Sequence, residues 1–204
     1  MKNEPLSPIR QPPPAMPSPH SRRALKTFAL ACRRLGVLPT RFLLTVHVAT
    51  QQMEWLERVP VNRGATAFPR YHRRKTFRVS TSRFGTGQFK ETHRTPLGIH
   101  RVAERIGGGW PVGTAFRSRK PIGFIWAGIP DAPIAHRILW LEGLDPGFNR
   151  GGSVDTRGRY IYIHGLANEP TLGRPASRGC IHLAAADLLP LFDVLPAGTL
   201  VWIE

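Results

Sequence analysis

The segment from Tyr160 to His182, YIYIHGLANEPTLGRPASRGCIH, contains a thiol and an imidazole in an order that suits nucleophilic catalysis. His164 ends a predicted strand, and Cys180 follows a polar connection rich in glycine and proline. A thiol is a weak nucleophile until it loses its proton, and a neighbouring imidazole can accept that proton. We therefore interpret Cys180 as a nucleophile and His164 as its base, which predicts a reactive thiol with a depressed pKa.

The residues before Cys180 predict a tight turn. Gly179 tolerates positive φ, and the N–H groups of Arg178, Gly179 and Cys180 can then converge where an oxyanion needs them. Ser177 is an alternative nucleophile, but a thiol is intrinsically better at neutral pH, so we assign Ser177 to hydrogen bonding in the turn. Gly165 is predicted to open space beside His164.

This pattern resembles the L,D-transpeptidase catalytic domain family (YkuD type), in which a His-Gly strand end precedes Ser/Thr-His/Arg-Gly-Cys. The resemblance covers about residues 41 to 204. Three further segments fit the family: Thr95-Pro96-Leu97-Gly98, Arg137-Ile138-Leu139-Trp140-Leu141 and Gly173-Arg174-Pro175-Ala176. The sequence departs from the family at His182, two residues after the cysteine, where Arg or Asn is usual.

The resemblance implies a peptidoglycan L,D-transpeptidase in the cell envelope or periplasm. Cys180 attacks a carbonyl of a stem peptide, forms an acyl-enzyme and transfers the acyl group to an amine, without a cofactor. The resemblance also implies inhibition by carbapenem-type β-lactams. The residues alone support a cysteine acyl transferase or hydrolase, and two alternatives stay open: an L,D-carboxypeptidase that uses water, and a non-catalytic basic module that binds the wall.

A formal net charge of +16 over 204 residues favours polyanionic partners. Net charge alone does not distinguish nucleic acid, anionic lipid and an acidic wall polymer as the partner. The resemblance favours wall peptides over nucleic acid. We expect the protein to be a monomer. Arg174, Arg178 and the basic residues between 70 and 78 are candidates for binding stem-peptide carboxylates, because guanidinium groups bind carboxylates in bidentate fashion. The run from Arg70 to Lys75 also fits a solvated basic loop, which we favour over a binding patch.

Cysteine and hydropathy patterns exclude other classes. Two cysteines, Cys32 and Cys180, do not make a disulfide framework. The sequence has no stretch of about 20 apolar residues, which a membrane span requires. The apolar run from Ala24 to Cys32 is short and interrupted by Lys26, so it is not a clear signal peptide.

The pattern of elements divides the chain at about residue 40. Residues 1–20 are rich in proline and are predicted to be disordered, and a short basic helix over 21–37 is expected to pack on the domain. Residues 41–204 predict a mainly β (β-rich α+β) domain, by resemblance an L,D-transpeptidase-like β-sandwich or barrel, with one short helix after the catalytic cysteine. Strands are predicted at 44–48, 76–81, 99–102, 134–141, 160–163 and 199–203, a hairpin within 116–126, and a helix ending near 195 that begins at about Ala186 because of Pro190.

The remaining histidines are interpreted as structural, except for His182. Side chains alternate along a strand, so His182 should lie on the same side as Cys180 and, when protonated, stabilise a thiolate. A zinc site at His164, Cys180 and His182 is disfavoured because the neighbouring sequence offers no fourth ligand. The structural group comprises His47, His72, His93, His100 and His136.

Overall fold

A computed structural model describes residues 15–60 and 68–204. The first 14 residues, on which most of the predicted disorder falls, lie outside the described residues. The elements are helix α1 (Pro19–Leu35), strands β1 (Phe42–His47), β2 (Gln52–Arg58), β3 (Tyr71–Ser80), β4 (Gly98–Ile106), β5 (Thr114–Arg117), β6 (Lys120–Phe124) and β7 (Ala135–Gly143), a 3₁₀ turn (Gly152–Val154), β8 (Tyr162–Gly165), β9 (Ile181–Leu183), helix α2 (Ala185–Val194) and β10 (Leu200–Ile203).

Ten strands form one sheet in the order β4-β10-β1-β2-β3-β9-β8-β7-β5-β6, and β4 also pairs with β7. This additional pairing joins the strands from β4 to β7 into a closed ring, and the β5–β6 hairpin extends from β7. Closure leaves no free edge within the ring. The predicted mainly β fold with a short helix after the cysteine is confirmed.

The interior of the ring is apolar and is closed by α2. Leu188, Leu191 and Phe192 of α2 join buried residues of the strands in one cluster, including Ile163 of β8 and Ile181 of β9. Burying an aliphatic or aromatic side chain of this size contributes about 1.5–3 kcal/mol. The core therefore fixes one face of the β8–β9 pair and leaves the other face to the candidate site.

Helix α1 covers a second apolar cluster on the outside of the ring. Ala24, Phe28 and Cys32 recur every four residues and are buried, whereas Leu30 on the opposite side is 64% exposed. Arg34 near the helix end pairs with Asp145 of the β7–β8 connection. Neither helix within the described ranges is long and apolar enough to cross a membrane.

Strand β2 and the start of β3 differ from the prediction. Residues 52–58 were expected in a connection, and Arg70–Lys75 in a basic loop, but Tyr71–Ser80 pairs with β2 along its length. Glu54 is 2% exposed and lies 3.4 Å from Arg73 of β3. Cross-strand ion pairs thus place charged residues in strands that local composition predicts as loops.

One predicted strand boundary near the site is wrong by two residues, and the helix after the cysteine extends past its proline. Strand β8 begins at Tyr162 rather than at Tyr160, whose φ of 56° is incompatible with an extended strand. Helix α2 begins at Ala185 and continues through Pro190, although an internal proline removes a hydrogen bond. Packing of the apolar α2 side chains into the core offsets that loss.

Candidate active site

A parallel strand pair brings the thiol and the imidazole together. Strands β8 and β9 run parallel with His164 opposite His182, and Cys180 immediately precedes β9. Parallel strands need a long crossover, here residues 166–180, which returns the chain to the start of the partner strand. Cys180 therefore lies at the level of Tyr162 and is a diagonal neighbour of His164.

The alternation of side chains separates core residues from site residues on these two strands. Ile163 and Ile181 point into the ring interior, so His164, Cys180 and His182 share the opposite face. His182 therefore lies on the same side of the strand pair as Cys180, as the alternation of side chains predicts.

Cys180 is partly exposed, and its thiol has two backbone contacts. The Tyr162 N–H donates a hydrogen bond to Sγ at 3.4 Å. The thiol in turn donates a hydrogen bond to the Tyr160 carbonyl oxygen, which lies 3.5 Å from Sγ. Burial among apolar neighbours raises the Cys180 pKa to about 11, although the Tyr162 N–H and the charge of Arg159 oppose this shift. The expected depressed pKa is therefore wrong for the resting site, which holds a neutral thiol.

His164 is 2% exposed and is held in one tautomer. Its Nδ1 lies 2.9 Å from the Gly165 carbonyl oxygen, and because a carbonyl only accepts, Nδ1 carries the proton. In the neutral ring Nε2 then keeps its lone pair and is free to accept a proton. Burial lowers the His164 pKa to about 4, so this neutral tautomer persists at neutral pH.

His182 packs against His164, with 4.8 Å between the ring centroids. Its Nδ1 is buried and has no hydrogen-bond partner among the described residues. Burial, together with the charge that His164 carries when protonated, lowers the His182 pKa to about 3. His182 is therefore neutral at neutral pH and does not supply the expected positive charge to a thiolate.

The turn before Cys180 is organised by Ser177. Its Oγ donates to the Cys180 carbonyl at 2.6 Å and accepts the Gly179 N–H at 3.2 Å. Gly179 adopts a φ of 116°, which favours glycine. Thr95 Oγ1, from the predicted Thr-Pro-Leu-Gly turn, donates to the Gly179 carbonyl at 3.1 Å. Because the Gly179 N–H is already used, Arg178 and Cys180 are the remaining N–H donors of the predicted oxyanion site.

Gly165 does not open space beside His164. A Cβ atom at this position would lie 2.8 Å from the Ala135 carbonyl oxygen and 2.9 Å from the His136 ring. The glycine instead permits close packing of β8 against β7, and its own carbonyl fixes the His164 tautomer.

The predicted carboxylate-binding residues are dispersed. Arg178 is exposed and its guanidinium lies 3.1 Å from His93 Nε2, at the rim of the Cys180 turn. Arg174 is also exposed, with its carbonyl accepting a hydrogen bond from Ser80. In β3, cations are paired with acids: Arg73 with Glu54, Arg74 with Glu57 and Lys75 with Asp187.

Two arginines near Cys180 were not predicted. Arg159 donates to the carbonyl oxygens of Gly87 and Gln88 at 3.1 and 2.8 Å and also to that of Arg94, so it holds the 87–94 loop beside the nucleophile. Arg119, on the β5–β6 turn, donates to the Tyr162 hydroxyl at 3.3 Å. Their positions depend on long-range contacts, and no local sequence signal distinguishes them from the other arginines.

The other histidines make structural contacts. His100 is fully buried, with Nδ1 3.0 Å from the Gly98 carbonyl, and His136 accepts the Gly113 N–H. His47 pairs with Glu204, and His72 lies near Glu57. Across residues 15–60 and 68–204, no cluster of three or more His, Cys, Asp or Glu side chains is placed to hold a metal ion.

Comparison with known proteins identifies relatives of one kind. A family model described as the L,D-transpeptidase catalytic domain (YkuD) matches residues 42–203. YqjB from Bacillus subtilis (strain 168), a provisionally named L,D-transpeptidase, is 37% identical over 79 residues, which are 39% of this chain and 39% of that protein.

Solved structures extend the comparison to the fold. Bd1075 from Bdellovibrio bacteriovorus superposes with a TM-score of 0.52 at 15% identity and covers 81% of this chain and 48% of that chain. An L,D-transpeptidase from Enterococcus faecium gives a TM-score of 0.46 at 15% identity, over 82% of this chain and 51% of that chain. The matches thus span between about two fifths and half of these relatives, and the superposition on Bd1075 supports a shared fold.

Proposed function

This chain belongs to the L,D-transpeptidase catalytic domain family, and we propose that it is a peptidoglycan L,D-transpeptidase with Cys180 as its nucleophile. The observation that carries this proposal is the shared face of the β8–β9 pair, on which Cys180 and His164 are diagonal neighbours. The His164 tautomer supports it, because Nε2 is the nitrogen left free to accept the thiol proton.

In the first half of the reaction, Cys180 Sγ attacks a carbonyl carbon of the donor stem peptide. The thiol proton passes to His164 Nε2 as the carbon–sulfur bond forms. The oxyanion of the tetrahedral intermediate accepts hydrogen bonds from the N–H groups of Arg178 and Cys180. His164 then gives its proton to the leaving amine, the carbon–nitrogen bond breaks, and a thioester remains on Cys180.

In the second half, the amine of an acceptor stem attacks the thioester carbonyl. His164 removes the proton that the attacking nitrogen loses and returns it to the departing Sγ. The new amide joins the two stems and the neutral thiol is restored. Water in place of the amine gives the L,D-carboxypeptidase reaction, so the two activities differ only in the acceptor.

Family membership also supports a location in the cell envelope and acylation by carbapenem-type β-lactams. The strained ring of a β-lactam is an acyl donor whose leaving nitrogen stays attached, so a stable adduct on Cys180 is expected. The net charge of +16 fits an anionic wall polymer as the surroundings of the substrate.

The proposal is tested by incubating the full chain with tetrapeptide stems and following the products by mass spectrometry. A cross-linked dimer and a transient thioester on the Cys180 peptide are expected. Formation of tripeptide without dimer identifies the carboxypeptidase alternative, and the absence of any product together with the absence of a carbapenem adduct overturns the enzymatic assignment.

Two variants make the test specific. Cys180→Ala should abolish turnover and leave the fold intact, because only the nucleophile is removed. Cys32→Ala is the matched control, since Cys32 lies on the buried side of α1 and is 2% exposed, and it should retain turnover. Turnover by Cys180→Ala would exclude Cys180 as the nucleophile.

A further inference from the structure

One guanidinium group lies against the two tyrosines that contact the candidate nucleophile. The carbonyl of Tyr160 and the N–H of Tyr162 both contact Cys180 Sγ. Arg119 Cζ lies 5.0 Å from the Tyr160 ring centroid and 4.5 Å from that of Trp140, and its Nη1 donates to the Tyr162 hydroxyl. These contacts hold the Arg119 side chain against the aromatic residues Trp140 and Tyr162, with which Cys180 packs in one cluster.

The backbone of this region adopts conformations that its side chains disfavour. Ser118 and Arg119 form the β5–β6 turn with φ values of 48° and 68°, where glycine and asparagine are preferred. Tyr160 also has a positive φ, 56°. Positive φ is uncommon for bulky residues, and such strain concentrates at functional sites. A two-residue hairpin turn requires positive φ at both central residues, so the turn explains Ser118 and Arg119 and fixes the direction of the Arg119 side chain, whereas the positive φ of Tyr160 lies outside any hairpin turn.

The charge of Arg119 is uncompensated by an ion pair. Arg157 contacts the same Trp140 ring at 4.6 Å, but its guanidinium lies 3.4 Å from Glu104. Among the described residues Arg119 forms no ion pair, although Glu104 acts on its charge from a longer distance, and its side chain donates one hydrogen bond, to Tyr162. A guanidinium has five N–H donors, so Arg119 keeps a free edge. Tyr160, against which it packs, is 52% exposed, so the patch is open to solvent.

We propose that Arg119, backed by Trp140 and Tyr160, is a subsite that binds a carboxylate of the stem peptide next to the scissile bond. This inference rests on the proposed function, because it takes the ligand to be a stem peptide. The planar guanidinium binds a carboxylate in bidentate fashion, and the aromatic rings fix its plane before the substrate arrives. Stem peptides carry terminal and side-chain carboxylates, and either one satisfies this chemistry.

The test measures binding without turnover. The full chain with Cys180→Ala is titrated by calorimetry with a tetrapeptide stem as the free acid, as its terminal carboxamide and as its side-chain carboxamide. Adding Arg119→Gln should weaken binding of the free acid about tenfold, because charged hydrogen bonds are lost. Arg119→Lys keeps the positive charge but loses the bidentate guanidinium, so its affinity for the free acid should lie between the affinities measured with Arg119 and with Gln at this position.

The matched control is Arg157→Gln, which removes the other guanidinium on Trp140 and should change the affinity less than twofold. If Arg119→Gln no longer weakens binding when one of the two carboxylates of the stem peptide is replaced by a carboxamide, that carboxylate is the one bound by Arg119. Equal effects of the two variants, an Arg119 effect that persists with both amides, or no binding of the free acid would overturn the subsite. Binding that depends on Arg119 without turnover by the wild-type chain would instead overturn the transpeptidase proposal.

Discussion

Cys180 and His164 are both neutral at rest, with pKa values of about 11 and about 4. Burial is the first cause of both shifts, since it disfavours the thiolate and the imidazolium alike. A preformed thiolate–imidazolium pair is therefore not the resting state. In the proposed reaction, the proton leaves the thiol as the substrate carbonyl is attacked, when the charge that develops moves to an oxygen with its own donors.

The raised thiol pKa predicts how Cys180 reacts with a small alkylating agent. At pH values below the pKa, each increase of one pH unit raises the thiolate fraction about tenfold. The rate at which iodoacetamide alkylates Cys180 should therefore increase about tenfold per pH unit from pH 7 to pH 10. Mass spectrometry of the Cys180 peptide measures this rate, and Cys32, which is buried, should stay unmodified in the native protein. A rate that levels off near pH 7 would show a thiol activated at rest.

His182 predicts a second effect on the same rate. A permanent cation at this position lowers the Cys180 pKa, because an opposite charge nearby favours the thiolate. His182→Arg should therefore raise the alkylation rate at pH 8 by about tenfold. His182→Asn is the neutral control and should resemble the wild type, in which burial keeps His182 uncharged. Equal rates in the two variants would place residue 182 too far from Sγ to act on it electrostatically.

Helix α1 adds to the stability of the domain through one apolar side. Phe28 is fully buried and packs edge-on against Phe68 and Trp202, at centroid distances of 5.7 and 6.1 Å. Phe28→Ala should lower the free energy of unfolding by about 3–5 kcal/mol. Leu30→Ala, on the exposed side, should change it by less than about 0.5 kcal/mol. Urea titrations of the full chain measure both, and similar values would mean that α1 does not pack as described.

Elements with clear alternation were predictable from the sequence, whereas those stabilised by charge pairs were not. The predicted strand at 44–48 overlaps β1, whose residues are all buried. Strand β2 was missed because it contains Glu54 and Glu57, whose partners are on β3 and, for Glu57, also at Arg41 just before β1. A run of basic residues is predicted to be a solvated loop unless its acidic partners on neighbouring strands are known. Those partners are distant in sequence, so the local sequence does not reveal them.

The candidate site shows the same division. His164, Cys180 and the turn before Cys180 occupy one segment, so their types and spacing indicate the chemistry directly. Arg119 is held at the hydroxyl of Tyr162, and Arg159 is held at the 87–94 loop, by contacts between segments distant in sequence. The positive φ at Arg119 and the burial that shifts the histidine pKa values also arise only in the folded chain.

At the scale of the whole molecule, closure of the ring determines where the site lies. Most neighbouring strands are antiparallel, but β8–β9 and β1–β10 are parallel. The parallel β8–β9 pair requires the long crossover that ends in the Cys180 turn, and Thr95 and Arg159 fasten this region to the loop before β4. The thiol is thus held where the β3–β4, β7–β8 and β8–β9 connections contact one another. Such a fixed position is what catalysis by an oriented nucleophile requires.

The buried histidines make the stability of the whole domain dependent on pH. His100, His164 and His182 have folded pKa values of about 4, about 4 and about 3, below the ordinary value of 6.5, and burial is the first cause in each case. Well above pH 6.5 neither the folded nor the unfolded chain binds protons on these rings. Between pH 6.5 and pH 4 the unfolded chain binds up to three more protons on these rings and a further share on His136, whose pKa burial also lowers, so stability must fall as the pH falls.

We expect the free energy of unfolding to decrease between pH 6.5 and pH 5 with a slope that approaches about 4 kcal/mol per pH unit, since one proton corresponds to about 1.4 kcal/mol. Carboxylates titrate mainly below this window, with ordinary pKa values of about 4, so the histidines dominate it. Urea titrations at half-unit steps measure the slope. His100→Asn removes one of these groups and should reduce the slope by up to about 1.4 kcal/mol per pH unit, whatever its effect on stability at pH 7. A slope near zero in the wild type, or one unchanged in His100→Asn, would show that these rings gain protons in the folded protein as readily as in the unfolded chain.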